Sequence, residues 1–99
     1  MKQSTIDAIK LFTETFPKEN QVLICVEELA ELSKVLLKNV NRNKDNRDDI
    51  VEELGDCYLF LKQLEMIYNI TQDELDSAMD AKLPKGLRRV KEYKEKHGE

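Results

Sequence analysis

Two long segments, about residues 19–39 and 47–68, repeat apolar side chains every three or four positions. The stretch Asn41-Arg42-Asn43-Lys44-Asp45-Asn46, with no apolar residue, separates them. That period marks amphipathic helices, and a short polar link between two of them predicts an antiparallel hairpin. On the first segment Val22, Val26, Leu29, Ser33, Leu36 and Val40 form the expected inner stripe. On the second it is Ile50, Leu54, Cys57, Leu61 and Leu64. Thirteen Leu against three Gly and two Pro, with no strand candidate, predict an all-α fold of four to five helices around this hairpin core.

Shorter helices flank the hairpin. Ser4-Thr5-Ile6-Asp7 approximates a capping box that opens a first helix, with Ile6, Ile9, Phe12 and Phe16 on its apolar side. Pro17 interrupts that helix and suits the first turn of the next. Thr71-Gln72-Asp73-Glu74 is a clearer capping box and opens a fourth helix. Leu83-Pro84-Lys85-Gly86 is expected to break it, leaving Leu87 to Glu99 as one short basic helix and a frayed tail. At 99 residues the chain is read as a single domain, with its core at about 5–83 and a basic C-terminal part at about 84–99.

Charge and composition narrow the setting. The net charge is −4, with 36% charged and 40% hydrophobic residues, so one copy has little with which to build a core. Residues 1–81 hold 17 acids and 9 bases, and an acidic body argues against binding a nucleic-acid polymer. Cys25 and Cys57 form no CxxC pair, and neither a leader segment nor a membrane-spanning run is evident. A cytoplasmic protein off the membrane is the expectation.

The acids are not scattered. Val26-Glu27-Glu28-Leu29-Ala30-Glu31 recurs as Val51-Glu52-Glu53-Leu54-Gly55-Asp56 on the next helix. Ile24, Glu28, Glu31 and Val35 share one stripe, and Asp49, Glu53, Asp56, Phe60, Gln63 and Ile67 share another. A face that only met solvent would not need Ile24, Val35, Phe60 and Ile67, so this second face is expected to be covered as well. Glu28 with Glu31, and Glu53 with Asp56, are i, i+3 pairs that project side by side. On facing helices such pairs repel unless a cation sits among them, and oxygen donors without His or Cys suit Mg²⁺ or Mn²⁺. Gly55, in mid-helix, suggests a close approach of a neighbouring element.

These motifs resemble the MazG-like family of all-α nucleoside triphosphate pyrophosphohydrolases, whose mark is EExxE on one helix and ExxD on the next. Glu27-Glu28-Leu29-Ala30-Glu31 and Glu53-Leu54-Gly55-Asp56 match, and the resemblance covers roughly residues 20–90. It implies a helical hairpin that dimerises into a bundle, as a homodimer or homotetramer. It also implies Mg²⁺-dependent hydrolysis of an NTP or dNTP to the monophosphate and pyrophosphate. By that match Glu28, Glu31, Glu53 and Asp56 would be metal ligands, and Glu27 the candidate base.

Lys34 and Lys38, beyond Glu31, and the late Lys82, Arg88 and Arg89 are candidates for the substrate phosphates, each weighed against a solvated surface cation. Phe12, Phe16, Tyr58 and Phe60 can stack on a base or simply fill a core, and His97 is given no role. Phosphoribosyl-ATP pyrophosphohydrolases are related but typically place Tyr-His after the aspartate, where this chain has Cys57-Tyr58. A di-iron bundle would want Glu-x-x-His pairs, and the one His is at 97. A helical oligomerisation or partner-binding module is the non-enzymatic alternative.

Overall fold

The computed structural model describes residues 1–98, and every regular element among them is helical: α1 (Gln3–Thr15), α2 (Lys18–Asn41), α3 (Arg47–Ile67), α4 (Gln72–Asp80) and α5 (Leu83–Lys96). They form two compact units, one from Met1 to Asn69 and one from Ile70 onward. None of these helices is long and apolar enough to cross a membrane.

In the first unit α1 starts at Gln3, a residue or two before the expected capping box, and has no side-chain cap. Asp7, the acid that would close the box, instead accepts a 2.9 Å hydrogen bond from the Gln3 amide one turn earlier. The carbonyl of Lys2 receives the freed Thr5 and Ile6 N–H groups at 3.1 Å. At the other end Pro17 holds φ near −58° as the residue flanking α2, and Phe16 before it is extended. The carbonyls left over at the end of α1 are met by a side chain: Gln21 Nε2 donates to Thr13 O at 3.3 Å and to Phe16 O at 2.5 Å.

α2 and α3 run antiparallel, as three cross-links show. Gln63 Nε2 donates to Gln21 Oε1, the Cys57 thiol to Glu28 O at 3.5 Å, and Asn46 Nδ2 to Val35 O at 2.9 Å. Residue numbers rise on one helix as they fall on the other. Asn46 is buried with its amide satisfied, because Asn39 Nδ2 donates to Asn46 Oδ1 at 3.2 Å. The turn takes Asn43 through φ 48°, a left-handed conformation that Asn tolerates better than most residues. α1 packs on α3, with Ile9 fully buried and the Thr13 hydroxyl 3.9 Å from Met66 Sδ. Lys18 stands 4.6 Å over the Tyr68 ring and ties the start of α2 to the end of α3.

Which face turns inward differs in part from the expectation: of the expected stripes Val22, Ile50, Cys57 and Leu64 are covered, and the rest are not. The covered positions of α2 are Gln21, Val22, Cys25, Glu28, Leu32, Val35, Lys38 and Asn39; those of α3 include Ile50, Glu53, Asp56, Cys57, Phe60, Gln63 and Leu64. The stripe through Val26, Leu29, Leu36 and Val40 is exposed, as are Val51, Leu54, Tyr58 and Leu61 on α3. The reason is angular. Each residue turns the helix by about 100°, so a stripe displaced by one position faces a quarter-turn away. The chain closes on the seam that carries its amides, thiols and carboxylates. In an antiparallel pair, both displaced stripes turn to one side of the hairpin, and Glu31 and Asp56 turn to the other.

In the second unit α4 opens on the expected capping box: Glu74 N–H donates to Thr71 Oγ1 at 3.2 Å, and Thr71 N–H to the Glu74 carboxylate at 2.7 Å. Leu83-Pro84-Lys85-Gly86 does not stand between helices but opens α5, with Pro84 in the first turn. The break falls before it, at Ala81-Lys82. α5 then runs to Lys96, longer than the short helix expected, and Tyr93 stacks on His97 at 4.0 Å.

Candidate metal centre

Glu28 reaches the seam because it sits one turn after Cys25 and opposite Cys57. Glu53 and Asp56 come to the same place as an i, i+3 pair on α3. One carboxylate oxygen from each of the three lies within 4.8 Å of the others. All three residues are half-buried. One oxygen of Glu53, Oε2, is buried and has no hydrogen-bond partner among the described residues.

The electrostatics follow from crowding. Partial burial raises the pKa of Glu28 above the ordinary carboxylate value, and the charges of Asp56, Glu31 and Glu27 push it the same way. A hydrogen bond with Asp56 adds to this. Glu53 is raised for the same first reason, with Asp56, Glu28, Glu31 and Glu52 contributing. No Lys or Arg relieves the cluster: the one ion pair among the described residues is Lys62–Glu65, at 3.4 Å and elsewhere on α3. Three converging carboxylates, one with an orphaned buried oxygen, fit a hard divalent cation. The thiols beside them are raised by burial first and then by Glu28, so Cys25 and Cys57 stay protonated at neutral pH.

The other residues singled out from sequence stand as follows. Glu31 is exposed and outside the group of three, yet close enough for its charge to act on Glu28 and Glu53. Glu27 is exposed on α2 and acts on Glu28 in the same way. Lys34 and Lys38 line a shallow groove on α2 with Ser33 and Arg42. Lys82 flanks the start of α5, and Arg88 and Arg89 lie exposed on α5, in the second unit. A side chain added at Gly55 would meet nothing within 4 Å, so no neighbour approaches closely there.

Beside the carboxylates, on the first unit, is a cavity of about 290 Å³ lined by Phe12, Phe16, Ile24, Phe60, Gln21 and Gln63, among others. The Phe12 and Phe16 rings are 6.3 Å apart and tilted. Ile24 lies one turn before Glu28, and Phe60 one turn after Asp56, so cavity and carboxylates are neighbours along both helices. The buried amides Gln21 and Gln63 were not legible as functional residues. The one hint was Gln63, a lone amide within an otherwise apolar and acidic stripe. No family model, curated protein or solved structure matches the chain.

Proposed function

We propose that the protein hydrolyses a nucleoside triphosphate to the monophosphate and pyrophosphate at the Glu28–Glu53–Asp56 cluster with Mg²⁺ or Mn²⁺, as its resemblance to MazG-like enzymes implies. The observation that carries this is the convergence of three carboxylates within 4.8 Å, with Glu53 Oε2 buried and, among the described residues, no partner for it and no ion pair to the cluster. The adjoining cavity has the aromatic lining and the size of a small-ligand site.

Glu28, Glu53 and Asp56 would hold the cation, with Glu31 at the edge of the cluster as a further oxygen donor. A bound divalent ion supplies neutralisation of the triphosphate charge and of the charge that develops on the departing pyrophosphate. The acidic cluster has to draw in positive charge before it can hold a polyanion, and a cation does this directly. Glu27 is the carboxylate left to orient the attacking water and accept its proton. Lys34 and Lys38, further along α2 in the same unit, are the candidates to meet outer phosphate oxygens. A homodimer through the exposed apolar stripes would leave the carboxylate side of the hairpin open to substrate.

A panel of NTPs and dNTPs, incubated with Mg²⁺ or Mn²⁺ and resolved chromatographically, tests the function. Metal-dependent release of monophosphate with pyrophosphate is expected. Release of diphosphate with phosphate, or no turnover of any nucleotide by folded protein, would overturn it.

A further inference from the structure

Three observations on the cavity between α1, α2 and α3 concern Gln63, a residue the proposed hydrolysis does not use. The lining is aromatic: Phe12, Phe16 and Phe60 surround a volume of about 290 Å³. That is at the small end of the range for ligand sites and suits one flat ring system. Gln63 is 6% exposed and lines this cavity, a polar amide in apolar surroundings. Its orientation is dictated by a relay. Gln21 Nε2 is held by two backbone carbonyls, Thr13 O and Phe16 O, so Gln21 Oε1 must point away from them. That oxygen accepts from Gln63 Nε2. The amide of Gln63 therefore cannot turn over without setting oxygen against oxygen. Its Oε1 is left as an acceptor that no donor among the described residues reaches.

Gln63 Oε1 is not itself fully buried, the one buried unpartnered side-chain oxygen among the described residues being Glu53 Oε2. A ligand can therefore reach it, and one that supplies a donor is favoured over an isostere that does not. From these contacts we infer that the cavity takes the nucleobase and that Gln63 is a specificity-determining residue, its Oε1 accepting a hydrogen from a ring N–H or exocyclic amino group of the base. Gln21 is a positioning residue that fixes which end of the Gln63 amide faces the ligand. The inference rests on the hydrolytic function proposed above. The neighbouring turns fit it: Ile24 and Phe60 are each four residues, about 6 Å of helix axis, from Glu28 and Asp56. A ribose bridges such a gap between base and phosphate.

The test compares substrates that differ only in the donor. ATP is set against purine riboside triphosphate, and CTP against 2-pyrimidinone riboside triphosphate, with methyl triphosphate as the base-free control, all with Mg²⁺. The expected result is that kcat/KM falls at least tenfold when the donor is removed from the base that the wild-type protein prefers, and further for methyl triphosphate. Gln63→Met should shrink the donor effect to threefold or less. Gln21→Leu, which lets the Gln63 amide turn, should do the same through KM while kcat is retained, a split that loss of folded protein would not produce.

If either variant fails to fold, nucleoside binding to the wild-type chain is measured by saturation-transfer NMR without metal. Adenosine or cytidine should bind at least tenfold more tightly than its donor-free analogue. Equal kcat/KM for methyl triphosphate and the nucleotides overturns the inference and leaves the hydrolytic function standing. Selective nucleoside binding without turnover of any nucleotide does the reverse. Equal binding of both nucleosides overturns the inference.

Discussion

The exposed apolar face of the hairpin makes a quantitative prediction. Val26, Leu29, Leu36 and Val40 on α2, with Val51, Leu54, Tyr58 and Leu61 on α3, are between 40% and 77% exposed and turn to one side of the helix pair. Full burial of such side chains contributes about 1.5–3 kcal/mol each, so half-exposed ones have about 1 kcal/mol still to gain. In a twofold dimer this face meets itself, and sixteen residues give about 16 kcal/mol gross. Lost rigid-body freedom and ordering cost about 4–15 kcal/mol. A mid-range cost leaves about 6–7 kcal/mol, a Kd of some tens of micromolar. Leu54→Glu, which enters the interface twice, removes two such contributions and brings two carboxylates against an apolar surface. Dissociation should rise at least about thirtyfold. Sedimentation velocity over a concentration series from about 5 to 500 μM reads both quantities. A wild-type chain that stays an 11.6 kDa monomer throughout, or a Leu54→Glu variant that associates as the wild type does, would refute this use of the face.

Further outcomes bear on the site and the seam. Glu53→Gln and Asp56→Asn should each cut turnover at least about a hundredfold while leaving the helical circular dichroism intact; most activity retained in both would remove the carboxylates from the chemistry. Glu28 and Glu53 have raised pKa values, so the folded state holds their protons more tightly than the unfolded state does. Metal-free stability from these groups is therefore fully present below the ordinary value of 4.5 and is lost as pH rises through the raised values. Thermal melts should show Glu53→Gln gaining on the wild type as pH goes from about 5 to about 8, and millimolar Mg²⁺ should close that gap; a gap independent of pH would contradict the shift. Asn46→Ala removes one hydrogen bond to the Val35 carbonyl and one from the Asn39 amide, which keeps Lys44 O, and urea denaturation should register a loss of about 1–3 kcal/mol. Cys25 and Cys57 should react with a thiol reagent only after unfolding, since burial and neighbouring carboxylates hold them protonated.

The sequence by itself determined the elements and much of the cluster. Helical periodicity, the Thr71–Glu74 box, Pro17 and the polar link at 41–46 act locally, within a turn or two of the chain, and local signals survive without tertiary context. The i, i+3 spacing of Glu53 and Asp56, and the matching acids on the preceding helix, marked the residues that converge. The tertiary structure alone decided which of two adjacent stripes faces inward. Val26 and Cys25 differ by one position, and a single helix presents both faces with equal regularity. The choice was made by partners across the hairpin: Gln63 for Gln21, the Cys57 thiol for the Glu28 carbonyl, Asn46 for Val35. These satisfy buried polar groups that no periodicity counts. Glu28 thereby entered the seam while Glu31, on the same motif, stayed in solvent, and two glutamines far apart in sequence became the polar part of an aromatic cavity.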